Sequence, residues 1–140
     1  MLYKTDIDRI SVSLWINGFE CSPEEITRQL GVQPSETRIK GEKRFVSKKA
    51  KAPMINKENS WRLKSELPQT VEPDKHLEFL LKQLNPHKKA FLELTKKYET
   101  IISFGIDWNY CNPGITLDKS LLIELAELNV EVDFDMYYLK

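Results

Sequence analysis

From Arg9 to Asn17 apolar and polar residues alternate. Ile10, Val12, Leu14 and Ile16 fall on one side, and Arg9, Ser11, Ser13, Trp15 and Asn17 on the other. Period-two spacing of this kind predicts a strand with one buried face. The rhythm returns at Ser60–Ser65, where Trp61 and Leu63 are expected inward and Arg62 and Lys64 outward. It returns again from Thr100, where Ile102, Phe104, Ile106, Trp108 and Tyr110 alternate with Ser103, Gly105, Asp107 and Asn109. In the last strand Val130, Val132, Phe134, Met136 and Tyr138 are expected to face the core, with Glu131, Asp133, Asp135 and Tyr137 facing away. Glu36–Lys40 reads as a short edge strand.

Helical signals lie between these strands. Ser22-Pro23-Glu24-Glu25 reads as a helix start: Ser22 is the N-cap, Pro23 the first helical residue, and Glu25 closes a capping box. Ile26 and Leu30 share one face, and Gly31 suits a left-handed C-cap. Leu77, Leu80, Leu81 and Leu84 form one stripe of an amphipathic helix. Asn85-Pro86 interrupts it and predicts a second helix, capped by Asn85 and carrying Phe91, Leu94 and Tyr98. Asn112-Pro113-Gly114 reads as a turn, and Thr116 as the cap of a helix to Leu128 that is apolar on most sides and so buried between layers.

The segments 11–21 and 101–111 match in register at Ser13/Ser103, Ile16/Ile106 and Cys21/Cys111, and each leads to a helix ending Leu-X-Val. The expectation is an α+β fold: a ferredoxin-like two-layer sandwich of two interleaved β-α-β halves. A helical pair is inserted between them, the sheet is mostly antiparallel, and the helices lie on one face. A non-duplicated α+β sheet is the alternative. One domain spans 1–140, with a long basic loop at about 41–58.

Length and composition agree with a single packed core, since the chain has 140 residues, 41% of them hydrophobic. Net charge is zero, so no global field draws the chain to nucleic acid or membrane. The start of the sequence lacks the apolar stretch of a signal peptide, and two cysteines make no disulfide scaffold, which points to the cytoplasm. Charge is unevenly placed: residues 38–57 carry +7 and the remainder −7.

Ser22-Pro23-Glu24-Glu25-Ile26, Leu30-Gly31-Val32 with Pro34, Lys40-Gly41-Glu42, Ser60-Trp61-Arg62-Leu63, the Leu77/Leu80/Leu81/Leu84 stripe and a closing strand with Asp135 and Tyr137 together resemble a bacterial family, domain of unknown function 4279. The resemblance implies a bacterial source and a small α+β domain. It implies no reaction, and no catalytic residue carries over from it.

The candidate chemistry is sparse. Cys21 and Cys111 sit at strand ends, with Cys21 just before a helix; no histidine partner marks either as a nucleophile, and both read as small apolar fillers. His76 and His87 lack metal spacing and read as solvated helix-end residues. Asp133 and Asp135, with Glu131 and Asp107, would suit a hard cation, but paired with Arg62 or Lys64 they are ordinary surface acids. The glycines form no phosphate loop. No cofactor and no metal are expected. Nucleic acid is not expected, because Trp15 and Tyr137 share their face with acids that repel phosphate.

The resulting expectation is a non-enzymatic cytoplasmic protein-interaction module. Its partner surface is the outward face: Trp15, Asp107, Glu131, Asp133, Asp135, Tyr137, Arg62 and Lys64. The partner is a basic protein or a second copy of the chain. An immunity-type inhibitor of a bacterial toxin is one concrete version, by analogy with small acidic-faced bacterial domains. The alternative is a small-ligand or hydrolytic site between the sheet and basic residues 38–57, with Asp135 or Asp133 as base and Arg62 or Lys64 holding an anion.

Overall fold

The computed structural model describes residues 7–46, 51–108 and 114–139. The chain runs β1 (Ile7–Asn17), α1 (Pro23–Leu30), β2 (Glu36–Arg38), β3 (Lys43–Arg44), β4 (Met54–Ile55) and β5 (Ser60–Lys64). It continues with α2 (Pro73–Leu84), a 3-10 turn (Asn85–His87), α3 (Lys88–Lys97), β6 (Glu99–Trp108), α4 (Lys119–Leu128) and β7 (Glu131–Tyr138). Five strands form one sheet in the order β2-β5-β1-β6-β7, and β3 and β4 form a separate two-stranded hairpin. Every pairing in the large sheet is antiparallel except β6 with β7.

The alternation read in β1 and β5 decides which face is dry. Ile10, Val12, Leu14, Ile16, Trp61 and Leu63 are buried, as are Ile102, Phe104 and Ile106 of β6. The helices cover this face: Ile26 and Leu30 of α1, Leu77, Leu80, Leu81 and Leu84 of α2, and Phe91 and Leu94 of α3 join the same core. Burying an aliphatic or aromatic side chain of this size contributes about 1.5–3 kcal/mol. The one polar atom of Trp61 is satisfied, since its Nε1 donates to Thr27 Oγ1 at 3.0 Å.

The two halves read from the matched segments, β1-α1 and β6-α4-β7, do not interleave. β7 pairs with β6 itself, outside the sheet's central strands, whereas β5 separates β2 from β1. The α2–α3 pair is therefore the connection between β5 and β6, not an insertion. The two copies nonetheless keep one shared device: both helices end on a residue in the left-handed conformation, Gly31 (φ 80°) and Asn129 (φ 57°).

Several local expectations are corrected. Ser22 caps α1 as read, but Glu25 gives its carboxylate to Arg28 and Gln29; those hydrogen bonds hold its pKa at about 2. The cap of α4 is Asp118, whose Oδ1 accepts from Leu121 N at 2.9 Å, two residues after Thr116. Asn85 is the C-cap of α2, its N–H bonded to the Leu81 carbonyl, and opens a 3-10 turn, while the N-cap position of α3 is His87. The region of 41–58 contains the β3–β4 hairpin within what reads as loop. α4 is not buried all round: Leu122 and Ile123 are more than half exposed, while Leu121, Leu125 and Leu128 are buried. In β7 Val132 packs against the core and Phe134 stacks on core Phe104, yet Phe134, Met136 and Tyr138 stay largely open. The turn at 112–113, Asn109, Tyr110 and Cys111 lie outside the described residues.

His76 is also corrected, from solvated to buried. Its Nδ1 lies 2.7 Å from Ser65 Oγ, and its Nε2 is buried with no partner among the described residues. Burial pushes its pKa down, against the pull of the Pro68 and Val71 carbonyls. The folded chain favours the neutral ring. The stability this contributes is complete above the unfolded histidine value of about 6.5 and is lost as the pH falls below it. Urea midpoints will therefore drop between about pH 7.5 and about pH 5.5, and His76→Gln will flatten that slope. Equal slopes in the two proteins would assign the titration to another group.

Candidate functional site

The outward sheet face is a lattice whose rows follow from strand register. One row runs Glu36, Arg62, Trp15, Ile101, Glu131 across β2, β5, β1, β6 and β7. The next runs Lys64, Ser13, Ser103, Asp133, and beyond it lie Ser11, Gly105 and Asp135, then Arg9, Asp107 and Tyr137. All eight residues singled out as a partner surface therefore lie on this face. Its middle is floored by small residues, with a cationic side on β2 and β5 and an anionic side on β7.

The cationic side is pre-arranged. The Arg38 and Arg62 guanidinium carbons lie 4.5 and 5.0 Å from the centroid of Trp15, contacts worth about 0.5–2 kcal/mol each. Glu36 joins the two arginines: Oε2 accepts from Arg38 Nε at 2.8 Å, and Oε1 from Arg62 Nη1 at 3.1 Å. Burial pushes the Glu36 pKa up, but the hydrogen bonds and positive charge of both arginines outweigh it and hold the carboxyl below its ordinary value. Arg62 Nε also donates to Ser13 Oγ at 2.9 Å.

Two asparagines hold the hairpin against this face. Asn56 is buried; its Nδ2 donates to the Ile39 carbonyl at 3.0 Å, and its Oδ1 accepts from Arg44 Nε at 2.8 Å. Asn59 accepts from the Lys40 amide and donates to the Phe19 carbonyl. These side-chain bonds add to the short backbone ladder of β3 and β4, which Asn56 extends by bonding the Gly41 amide and the Glu42 carbonyl. A cleft of about 440 Å³ results between hairpin and sheet. Trp15, Ser103, Arg38, Arg44, Asp133 and Asp135 are among its walls.

The sequence-chosen residues divide. Trp15, Asp133 and Asp135 line the cleft. Glu131 and Tyr137 are exposed on β7 outside it. Asp107 is taken by Arg9, at 3.1 Å. The hydrolytic constellation does not assemble, because Arg62 is committed to Glu36 and Ser13 and Lys64 lies outside the cleft. The four-acid cation set does not assemble either. Among the described residues no three His, Cys, Asp or Glu side chains converge as metal ligands, since Asp107 and Glu131 occupy rows on opposite sides of Asp133 and Asp135. Neither Asp133 nor Asp135 makes an ion pair with Arg62 or Lys64; the strands between keep them apart. Cys21 is half-buried beside Tyr98, not beside a base. Arg38 falls in the edge strand read at Glu36–Lys40 but is not singled out, whereas Arg44 and Asn56 are missed as site residues because the 41–58 segment carries no period. The charge excess there was its only signal.

Asn56→Ala will remove the acceptor of Arg44 Nε and one of the two donors to the Ile39 carbonyl, which keeps the Glu42 amide at 3.1 Å. A lost buried hydrogen bond costs about 1–3 kcal/mol, and hydrogen exchange at the amides of 54–56 will accelerate more than exchange in β1. Uniform acceleration across the chain would show that Asn56 does not specifically anchor the hairpin.

A model of the family described as Domain of unknown function (DUF4279) matches residues 8–139, nearly the whole chain, and the chain belongs to that family. No curated protein and no solved structure matches it. Among the described residues no helix is long and apolar enough to cross a membrane.

Proposed function

We propose that the chain is a non-enzymatic cytoplasmic binding module whose ligand lies in the cleft beneath the β3–β4 hairpin, and that this ligand carries separated charges. The observation behind this reading is the polarity of the cleft lining, with Arg38 on β2 and Arg44 on the hairpin, and Asp133 and Asp135 on β7 at the other end of the sheet. A volume of about 440 Å³ lies in the range of small-ligand sites. From β2 to β7 there are four strand steps of about 4.8 Å, about 19 Å between backbones. Once the arginine and aspartate side chains reach inward, roughly half of that remains. An extended peptide advances about 3.4 Å per residue, so a tripeptide with free termini spans it. Its amine would meet Asp133 and Asp135, and its carboxylate Arg38 and Arg44. Trp15, Ile101 and the small Ser103 would give it a flat floor. We also read β2-β5-β1-β6, with α1 and the α2–α3 pair as crossovers, as a ferredoxin-like sandwich to which α4 and β7 are appended.

The second reading is a protein-interaction surface for a basic partner, of which an immunity-type inhibitor is one version. The exposure of Glu131, Asp133, Asp135 and Tyr137 along β7 favours it.

Calorimetry with trialanine separates the two. The free-terminus peptide will bind, and the acetylated, amidated form will bind at least tenfold more weakly. Asp133→Asn with Asp135→Asn, and separately Arg44→Gln, will each weaken the free peptide by a similar factor, about 1.4 kcal/mol. Equal binding of free and blocked peptides, or none by either, would defeat the cleft reading and leave the protein-partner reading standing.

A further inference from the structure

β7 is exposed on both faces from Asp133 to Tyr138. Among the described residues it is hydrogen-bonded on one side only, to β6, so its other edge has no strand paired to it there. On the face it shares with the core, Phe134, Met136 and Tyr138 are 43%, 46% and 58% exposed. α4 packs toward α3 and leaves them open. They are well ordered sideways: Phe134 stacks on Phe104 at 4.9 Å, and Tyr138 lies against Trp108 at 4.8 Å. Leu122 and Ile123 of α4 are open as well.

We propose that a second copy of the chain adds to this edge, β7 against β7 and antiparallel, about a two-fold axis at Met136. The choice of occupant and register comes from the charge pattern. A two-fold normal to the sheet keeps the helices of both copies on one side, and it must pass between a residue and its own equivalent. An axis at Glu131, Asp133 or Asp135 sets that acid against itself. An axis at Val132 sets Glu131 against Asp133, and one at Phe134 sets Asp133 against Asp135. Like charges directly opposite are destabilising. An axis at Met136 is the first to avoid every such pair, and its overlap runs from Asp133 to Leu139. An axis at Tyr137 also avoids them but shortens the overlap to Asp135–Leu139. At Met136, Phe134 meets the partner subunit's Tyr138, an aromatic pair of the kind that stabilises cross-strand contacts by about 0.2–1 kcal/mol. Asp135 meets the partner subunit's Tyr137, whose hydroxyl is a donor it can use. The acids thus reject the wrong registers, and the apolar residues reward the remaining one.

This assembly also reaches the cleft. Asp135 lines it, so the partner subunit's Tyr137 stands at its anionic rim. The dimer does not depend on the ligand reading, and its test uses no ligand.

Light scattering over a concentration series reads the mass, and cysteine cross-linking reads the register, in a Cys21→Ser, Cys111→Ser background. The mass will double with concentration. Met136→Cys will form a disulfide dimer under mild oxidation. Phe134→Cys alone will not, but will when mixed with Tyr138→Cys. Met136→Lys, at a half-open position, will hold the mass at one chain while leaving the circular dichroism unchanged. Should that variant misfold, the cross-linking pattern still decides. A constant single-chain mass overturns the proposal and leaves the edge to a strand of another protein. A dimer that survives Met136→Lys, or that cross-links through Phe134→Cys alone, also overturns it.

Discussion

The two-sidedness of β1 is the constraint on which the rest depends. Its register with β5 and β6 fixes both neighbours, so one alternation in eleven residues sets three strands at once. Slipping it by a residue would turn Ile10, Val12, Leu14 and Ile16 to solvent and Trp15 into the core. The buried side is then satisfied by helices, and the other side is left small and polar. Ser13 is nearly fully buried even on that side, because Arg62 lies across it and takes its hydroxyl. The floor of the cleft is thus a by-product of the strand that builds the core.

What distinguishes the outward face is where its charges are spent. On the β2–β5 side, Arg38 and Arg62 share the single carboxylate of Glu36 around Trp15, which leaves a net charge of +1 on that wall. On the β7 side, Asp133 and Asp135 are exposed and line the cleft under the hairpin, and neither makes an ion pair among the described residues. Exposed ion pairs contribute little to stability, so the arrangement is better explained as a preorganised surface than as a means of holding the sheet together. The acids do bear on the edge of β7, where they discourage indiscriminate pairing.

Strands and core were legible in the sequence wherever a period ran long enough. β1, β5 and the leucine stripe of α2 declare their faces because burial on one side enforces period two or period 3.6. β7 misleads for a physical reason. Its alternation is as regular as that of β1, but the pattern says only that two faces differ, not that a layer covers the apolar one. The same ambiguity affects α4, whose apolar surplus is left at Leu122 and Ile123. Strand order was not legible: the matched segments imply equal halves, and nothing local reveals that β5 enters between β1 and β2. The outward residues could be chosen by parity, but Arg44 and Asn56 are brought to the site by hydrogen bonds across a segment without period. His76 shows the same limit in reverse, since a helix-end position predicts solvent and tertiary packing seals it in.

The central claim is that the polar face of β1 and β6, under the hairpin, is where a ligand is held. Amide and indole chemical shifts recorded during titration with trialanine test it directly. The account requires the perturbations to cluster at Trp15, Asn56, Ser103, Asp133 and Asp135. Perturbations centred instead on the groove at Gly31, His87 and Ala90 across the molecule, or a spectrum that does not move, would contradict it.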